Sequence, residues 1–125
     1  MWQDNSDRKW ALIIEDEPTI SRACQKVLVA EGFDVDIATN GLIAQELISK
    51  KSYDLCLSDI KMPKLNGVDL YRYIEKEHPK LVEKMIFTTG DLLSQDVGMF
   101  LEEVDRPFLP KPFTPDELKY ILKEF

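Results

Sequence analysis

The chain has 125 residues, 44% of them hydrophobic and 31% charged, with a formal net charge of −7, which is room for one domain built on one core. The acidic balance argues against nonspecific binding to nucleic acid or anionic membranes, which needs basic patches. No run approaches the roughly 20 apolar residues of a membrane span, and Met1-Trp2-Gln3-Asp4-Asn5-Ser6 does not open a signal peptide. Cys24 and Cys56 are isolated in apolar contexts, with neither a CxxC motif nor a metal-ligand spacing. They read as buried free thiols, so a reducing cytoplasm is expected.

Residues 1 to 8 are polar and aperiodic, and read as a linker or expression remnant. A single domain is expected over residues 9–125. Trp10-Ala11-Leu12-Ile13-Ile14 is a continuous apolar run, as a strand covered on both faces requires, and it ends in Glu15-Asp16. Glu17-Pro18 starts a helix. Ile20, Cys24, Val27 and Leu28 recur at helical spacing, and Gly32 stops the helix. Phe33-Asp34-Val35-Asp36-Ile37-Ala38 alternates apolar and acidic, the pattern of a strand near a sheet edge with one wet face. Thr39 or Asn40 can cap a second helix, which has Ile43, Ala44, Leu47 and Ile48 on its apolar face and Lys50-Lys51 at its negative end.

Leu55-Cys56-Leu57 is the most central strand by this logic. It runs out at Asp59, and Met62-Pro63 begins a loop. Asn66-Gly67 turns the chain into a third helix carrying Val68, Tyr71 and Ile74. Met85-Ile86-Phe87-Thr88-Thr89 is a fourth strand, closed by Gly90-Asp91. A fourth helix shows Val97, Phe100, Leu101 and Val104, with Gly98 in its middle costing about 1 kcal/mol relative to Ala. The stretch 106–112 is a short fifth strand, which its prolines restrict to a sheet edge. Thr114-Pro115-Asp116-Glu117 caps a fifth helix, with Leu118, Ile121, Leu122 and Phe125 facing inward.

Five strands alternating with five helices imply crossover connections and a parallel sheet. The expected fold is α/β: a flavodoxin-like, doubly wound five-stranded sheet of order 2-1-3-4-5. In such a sheet, chemistry gathers at the carboxyl ends of the strands. That edge collects Glu15, Asp16, Asp59, Thr89 and Lys111. A strand-end Asp can also simply cap or turn the chain, but three carboxylates in one place repel unless a cation sits among them. Oxygen donors without His or Cys favour Mg²⁺. A carboxylate beside that metal is a nucleophile toward phosphorus, forming an aspartyl phosphate. A Lys ammonium and a Thr hydroxyl can then orient the phosphoryl oxygens.

Ile14-Glu15-Asp16-Glu17-Pro18, Asp59-Ile60-Lys61-Met62-Pro63 with Asn66-Gly67, Thr89-Gly90 and Lys111-Pro112-Phe113 together resemble the CheY-like receiver domain of bacterial two-component response regulators. The resemblance runs from about residue 10 to the C-terminus, and four motifs in order, each at a strand end, make it specific. It implies Asp59 as the phosphoacceptor. It implies Asp16 as direct Mg²⁺ ligand, Glu15 as its partner through a metal-bound water, and the backbone carbonyl of Lys61 as the third protein ligand. Thr89 and Lys111 match the pair that binds the phosphoryl group, and Phe108 matches the switch aromatic. In the family, Thr89 would move toward the phosphoryl group and Phe108 would swing inward. The face made by the fourth helix, fifth strand and fifth helix would then change. The implied partners are a histidine kinase or phosphotransfer domain and a downstream or attached output domain, without direct nucleic-acid contact or membrane insertion. A homodimer through the same face is compatible with this.

Two departures stand out. The acidic pair is Glu-Asp rather than Asp-Asp, and Phe108 lacks the hydroxyl of a tyrosine, which predicts a weaker two-state bias. Lys61 and Asp91 flank the path of an attacking water. They are either a pair that tunes phosphate lifetime or two solvated charges. His78, beside Pro79, reads as a surface residue, and Tyr71 and Tyr73 as packing. An Asp-based phosphatase is disfavoured because Lys61 stands where a second acid is wanted. A nucleotide- or flavin-binding module is disfavoured because no GxGxxG or GxxxxGK[ST] follows a strand. A phosphorylation-independent docking receiver ranks below the switch because every acceptor-site residue is present. The output remains open between a single-domain regulator and the receiver of a larger protein. The runs 87–91 and 106–113 look most similar to receivers of hybrid sensor histidine kinases.

Overall fold

The computed structural model describes residues 8–62 and 64–125. Residues 1–7, in the stretch read as a linker, and Pro63, in the loop after the central strand, lie outside the described residues. Arg8, which was grouped with that stretch, pairs with Asp34 at 2.8 Å.

The strands are β1 (Lys9–Ile14), β2 (Phe33–Ala38), β3 (Leu55–Asp59), β4 (Met85–Thr89) and β5 (Phe108–Pro110). The helices are α1 (Pro18–Ala30), α2 (Gly41–Lys50), α3 (Gly67–Glu77), α4 (Pro79–Val82), α5 (Gln95–Val104) and α6 (Pro115–Leu122). All strand pairs are parallel, in the expected order β2-β1-β3-β4-β5. Among the described residues there are six helices rather than five. The polar turn around His78-Pro79 contains the extra one, a single turn with Pro79 at its start and Leu81 buried. Four residues are too few to leave a periodic signal, so the pattern could not show it. His78 precedes this turn, and its Nε2 lies 3.1 Å from the Tyr73 hydroxyl.

The continuous apolar runs explain the layering. Successive side chains on a strand point to opposite faces. Leu12 and Ile14 of β1, Cys56 of β3 and Phe87 of β4 join the layer under α2, α3 and α5. Ala11, Ile13, Leu57 and Ile86 join the layer under α1 and α6, with Cys24, Leu28 and Leu118. Both cysteines are free and buried, and burial pushes their thiols up to about 11 for Cys24 and about 12 for Cys56. Tyr71 is buried in a three-ring cluster, its ring centroid 5.9 Å from that of Phe87 and 5.5 Å from that of Phe100. β2 and β5 occupy the two edges. β2 is at an edge as expected, but its four central residues, Val35 and Ile37 as well as Asp34 and Asp36, are all half-buried, so the contrast between a dry and a wet face that their alternation predicts is muted.

Helix ends follow local chemistry. Of the two candidate caps for α2 it is Asn40 that acts, its Oδ1 accepting from the Ile43 N–H at 2.9 Å. Asn66 does the same for α3, from Asp69. Thr114 and Glu117 complete a reciprocal capping box on α6. Gly32 ends α1 at φ +97°, a conformation that favours glycine.

Candidate functional site

The site is built by strands that stop together. β3 delivers Asp59 beside Thr88 of β4, and Ser58 beside Ile14 of β1. Glu15 extends β1, its N–H donating to the Ala38 carbonyl at 3.0 Å. The Lys111 N–H donates to the Thr89 carbonyl at 2.8 Å, which sets these two residues side by side. The Lys111–Pro112 peptide bond is cis. Past Asp59 the chain turns tightly. The Gly67 N–H donates to the Ile60 carbonyl at 2.7 Å, and a Cβ on Gly67 would lie 2.5 Å from the Asp59 carbonyl oxygen. Only glycine lets α3 begin this close to the end of β3.

The Lys111 ammonium is the electrostatic centre. It lies 2.7 Å from Glu15 Oε1 and 3.0 Å from Asp59 Oδ2, with all three side chains largely out of water. The other Glu15 oxygen accepts from the Glu17 N–H at 3.1 Å. Burial pushes the Asp59 carboxyl above its ordinary range, opposed by Lys111 and by the Lys61 N–H. Burial raises Glu15 as well, again opposed by Lys111 and by the Glu17 N–H. For Lys111, loss of water pulls the ammonium down, but Glu15 and Asp59 together carry it above its ordinary value. The repulsion anticipated among the carboxylates is thus relieved, in the protein alone, by a cation from the residue that follows β5.

Asp16 is exposed at the mouth. Among the described residues, the acidic group whose oxygens come within 4.8 Å of one another is Glu15, Asp16 and Glu17. Asp59 is turned to Lys111 instead. Glu17 is the acidic neighbour not read as part of this cluster. The run Glu15-Asp16-Glu17 was visible, but its last acid was read only as the lead-in to a helix. The donors are all carboxylate oxygens, which suits a hard cation such as Mg²⁺.

Thr89 is 1% exposed. Its Oγ1 accepts from the Asp91 N–H at 3.0 Å. The Asp91 carboxylate in turn contacts the Lys61 ammonium, joining the loop after β4 to the loop after β3 across the site. This contact involves side chains 41% and 62% exposed. Phe108, paired in register with Phe87, is 40% exposed on the edge strand. The structure therefore gathers Glu15, Asp59, Thr89 and Lys111 in the buried part of the edge, with Asp16, Lys61 and Asp91 at its rim and Phe108 outside.

The chain matches the family model described as the response regulator receiver domain over residues 11–123. It is 35% identical over 112 residues to a probable transcriptional regulator, ycf29, of Porphyra purpurea, covering 90% of this chain and 54% of that protein. The chain spans about half the length, or less, of the curated relatives it matches. The response regulator TrrA of Thermotoga maritima, solved in complex with Mg(2+)-BeF, is 30% identical with a TM-score of 0.79, covering 93% of this chain and 97% of that one. The receiver domain of a sensor histidine kinase from Pseudomonas aeruginosa, solved with a magnesium ion coordinated in its active-site cleft, is 26% identical with a TM-score of 0.83, covering 94% and 96%. With four strand-end motifs on a sheet of order 2-1-3-4-5 and a family match over nearly its whole length, the chain belongs to the response regulator receiver domain family.

Proposed function

We propose that this chain is the phosphoacceptor switch of a two-component system, with Asp59 the residue modified. The observation that carries this reading is the buried pairing of Lys111 with both Asp59 and Glu15. Burial raises both carboxyls, so the arrangement costs stability, and a strained electrostatic site at a strand edge is what a reacting group requires. Asp16, Glu15, Asp59 and the Lys61 carbonyl would hold Mg²⁺. When bound, Mg²⁺ supplies positive charge that screens the phosphoryl oxygens and admits an anion to an acidic edge.

The protein's own groups do the rest. A carboxylate oxygen of Asp59 attacks phosphorus in line. The P–N bond to the donor imidazole breaks, and the electron pair leaves with that imidazole, which takes up a proton. Lys111 gives up its bond to Asp59 and neutralises a phosphoryl oxygen. The Thr89 hydroxyl turns to donate to another. The space Thr89 leaves draws Phe108 inward, and the face of α5, β5 and α6 changes. Lys61 and Asp91 flank the route of the hydrolytic water and set the phosphate lifetime. The donor is a histidine kinase or phosphotransfer domain. The longer curated relatives support reading this domain as one module of a larger signalling protein, for which we propose a cytoplasmic location; among the described residues no helix is long and apolar enough to cross a membrane. A homodimer through α5, β5 and α6 is compatible with that module.

Beryllium fluoride with Mg²⁺ tests the reading by mimicking the phosphoryl group. Amide resonances of Asp59, Thr89, Phe108 and Lys111 are expected to shift together, and to stay still in Asp59→Asn. Wild-type resonances unmoved by saturating Mg²⁺ and beryllium fluoride would overturn it.

A further inference from the structure

The loop after β4 is fastened twice through one residue. The Asp91 N–H donates to Thr89 Oγ1 at 3.0 Å, and the Asp91 carboxylate holds the ammonium of Lys61 on the far side of the site. Thr89 is buried, so its hydroxyl has few alternatives to this partner. A threonine whose oxygen accepts from its own loop, in a loop tied to the opposite wall, is held in place. The hydroxyl can keep accepting from the Asp91 N–H while it donates its own proton, so to come within reach of a group on Asp59 Thr89 moves with the loop that holds it, and that loop must shift relative to Lys61. Lys61 also follows Asp59 by two residues, so one bridge links the loop of the acceptor to the loop of the switch.

We infer that Asp91 is a positioning residue: through its N–H and its bridge to Lys61 it keeps Thr89 in the resting position and sets how often the unphosphorylated protein visits the active conformation. This deepens the proposed switch and rests on it. It concerns the resting protein, whereas shielding of the phosphate concerns the product, so the two roles separate experimentally.

The bridge is exposed, and exposed pairs contribute about 0.2–1 kcal/mol. Opening it therefore raises the active population by up to about fivefold. The test needs no anion, which avoids the direct effect of a changed charge on ligand binding. In the full chain without Mg²⁺ or beryllium fluoride, relaxation-dispersion spectra of the Thr89 methyl and of a fluorinated Phe108 ring report the active minor state. Its frequencies are those of the beryllium fluoride complex. Asp91→Asn and Lys61→Ala are each expected to raise that population, by up to about fivefold. The charge swap Lys61→Asp with Asp91→Lys is expected to return it toward wild type. An unchanged population in both single variants, or no rescue by the swap, would overturn the inference. Failure of the underlying switch looks different, since beryllium fluoride with Mg²⁺ would then leave the wild-type spectrum unmoved. A shorter phosphate lifetime with an unchanged resting population would assign the pair to shielding alone and likewise overturn the positioning role.

Discussion

Two lysines reach carboxylates across the same sheet edge, and they do different work. Lys111 is 15% exposed and holds Glu15 and Asp59, whose side chains are 3% and 7% exposed. Lys61 is 62% exposed and holds Asp91, which is 41% exposed. Both are close contacts, so distance does not separate them. Burial does. Out of water, a charge without a partner is expensive and the pairing is obligatory. At the surface, water and salt replace the partner at little cost. The proposed switch accordingly places the buried pair in its machinery and leaves the exposed pair to bias it.

The largest effect expected is from Lys111→Ala. It leaves two buried carboxylates facing each other, and breaking a buried pair in this way costs about 3 kcal/mol. Urea denaturation of the metal-free protein should show the loss, and Mg²⁺ should recover much of it. A loss below that of an ordinary surface substitution would erase the distinction between the two lysines.

Next comes pH. Asp59 is raised above its ordinary value of 3.8 and Glu15 above 4.5, in each case chiefly by burial. The native state therefore keeps these protons longer than the unfolded chain does. Between the ordinary and the raised values it binds more protons, so the free energy of unfolding falls as pH rises through that window. Below the window the penalty is absent. Metal-free wild type should lose stability relative to Asp59→Asn as pH climbs from about 4, and the difference should level off once Asp59 is ionised in both states. A difference that stays flat or grows in favour of wild type would contradict the burial argument.

Phe108→Tyr adds a hydroxyl at the proposed switch position. One added hydrogen bond in the inward state is worth about 1 kcal/mol, so the response to beryllium fluoride should strengthen about fivefold. An unchanged response would mean that packing alone sets the bias. The smallest effect is from Lys61→Ala, with at most about 1 kcal/mol lost from global stability. A loss matching that of Lys111→Ala would show that exposure is a poor guide here.

Much of this was legible in the chain. The apolar runs of β1 and β3 announced strands covered on both faces, and the acids, Thr89 and Lys111 stood where strands ended. The parallel sheet followed from the alternation of strands and helices, and its order from the flavodoxin-like class expected for five such units. What the chain could not display was anything settled by contact. Lys111 is 52 residues from Asp59, and no local pattern says that its ammonium also reaches Glu15. The acid of Glu17 was hidden by a second role, as the lead-in to α1. The turn of α4 was hidden by shortness, since four residues carry no periodicity. The choice between Asn40 and Thr39 as cap depended on backbone direction, which composition does not encode.

The central claim, that Asp59 accepts a phosphoryl group, is tested most directly by intact mass after incubation with acetyl phosphate. Wild type and Asp59→Asn would be run with and without Mg²⁺, with beryllium fluoride binding measured alongside. A single added phosphoryl group that requires both Mg²⁺ and Asp59 is the result predicted. An adduct that persists in Asp59→Asn, or no adduct together with no binding of beryllium fluoride, would contradict it.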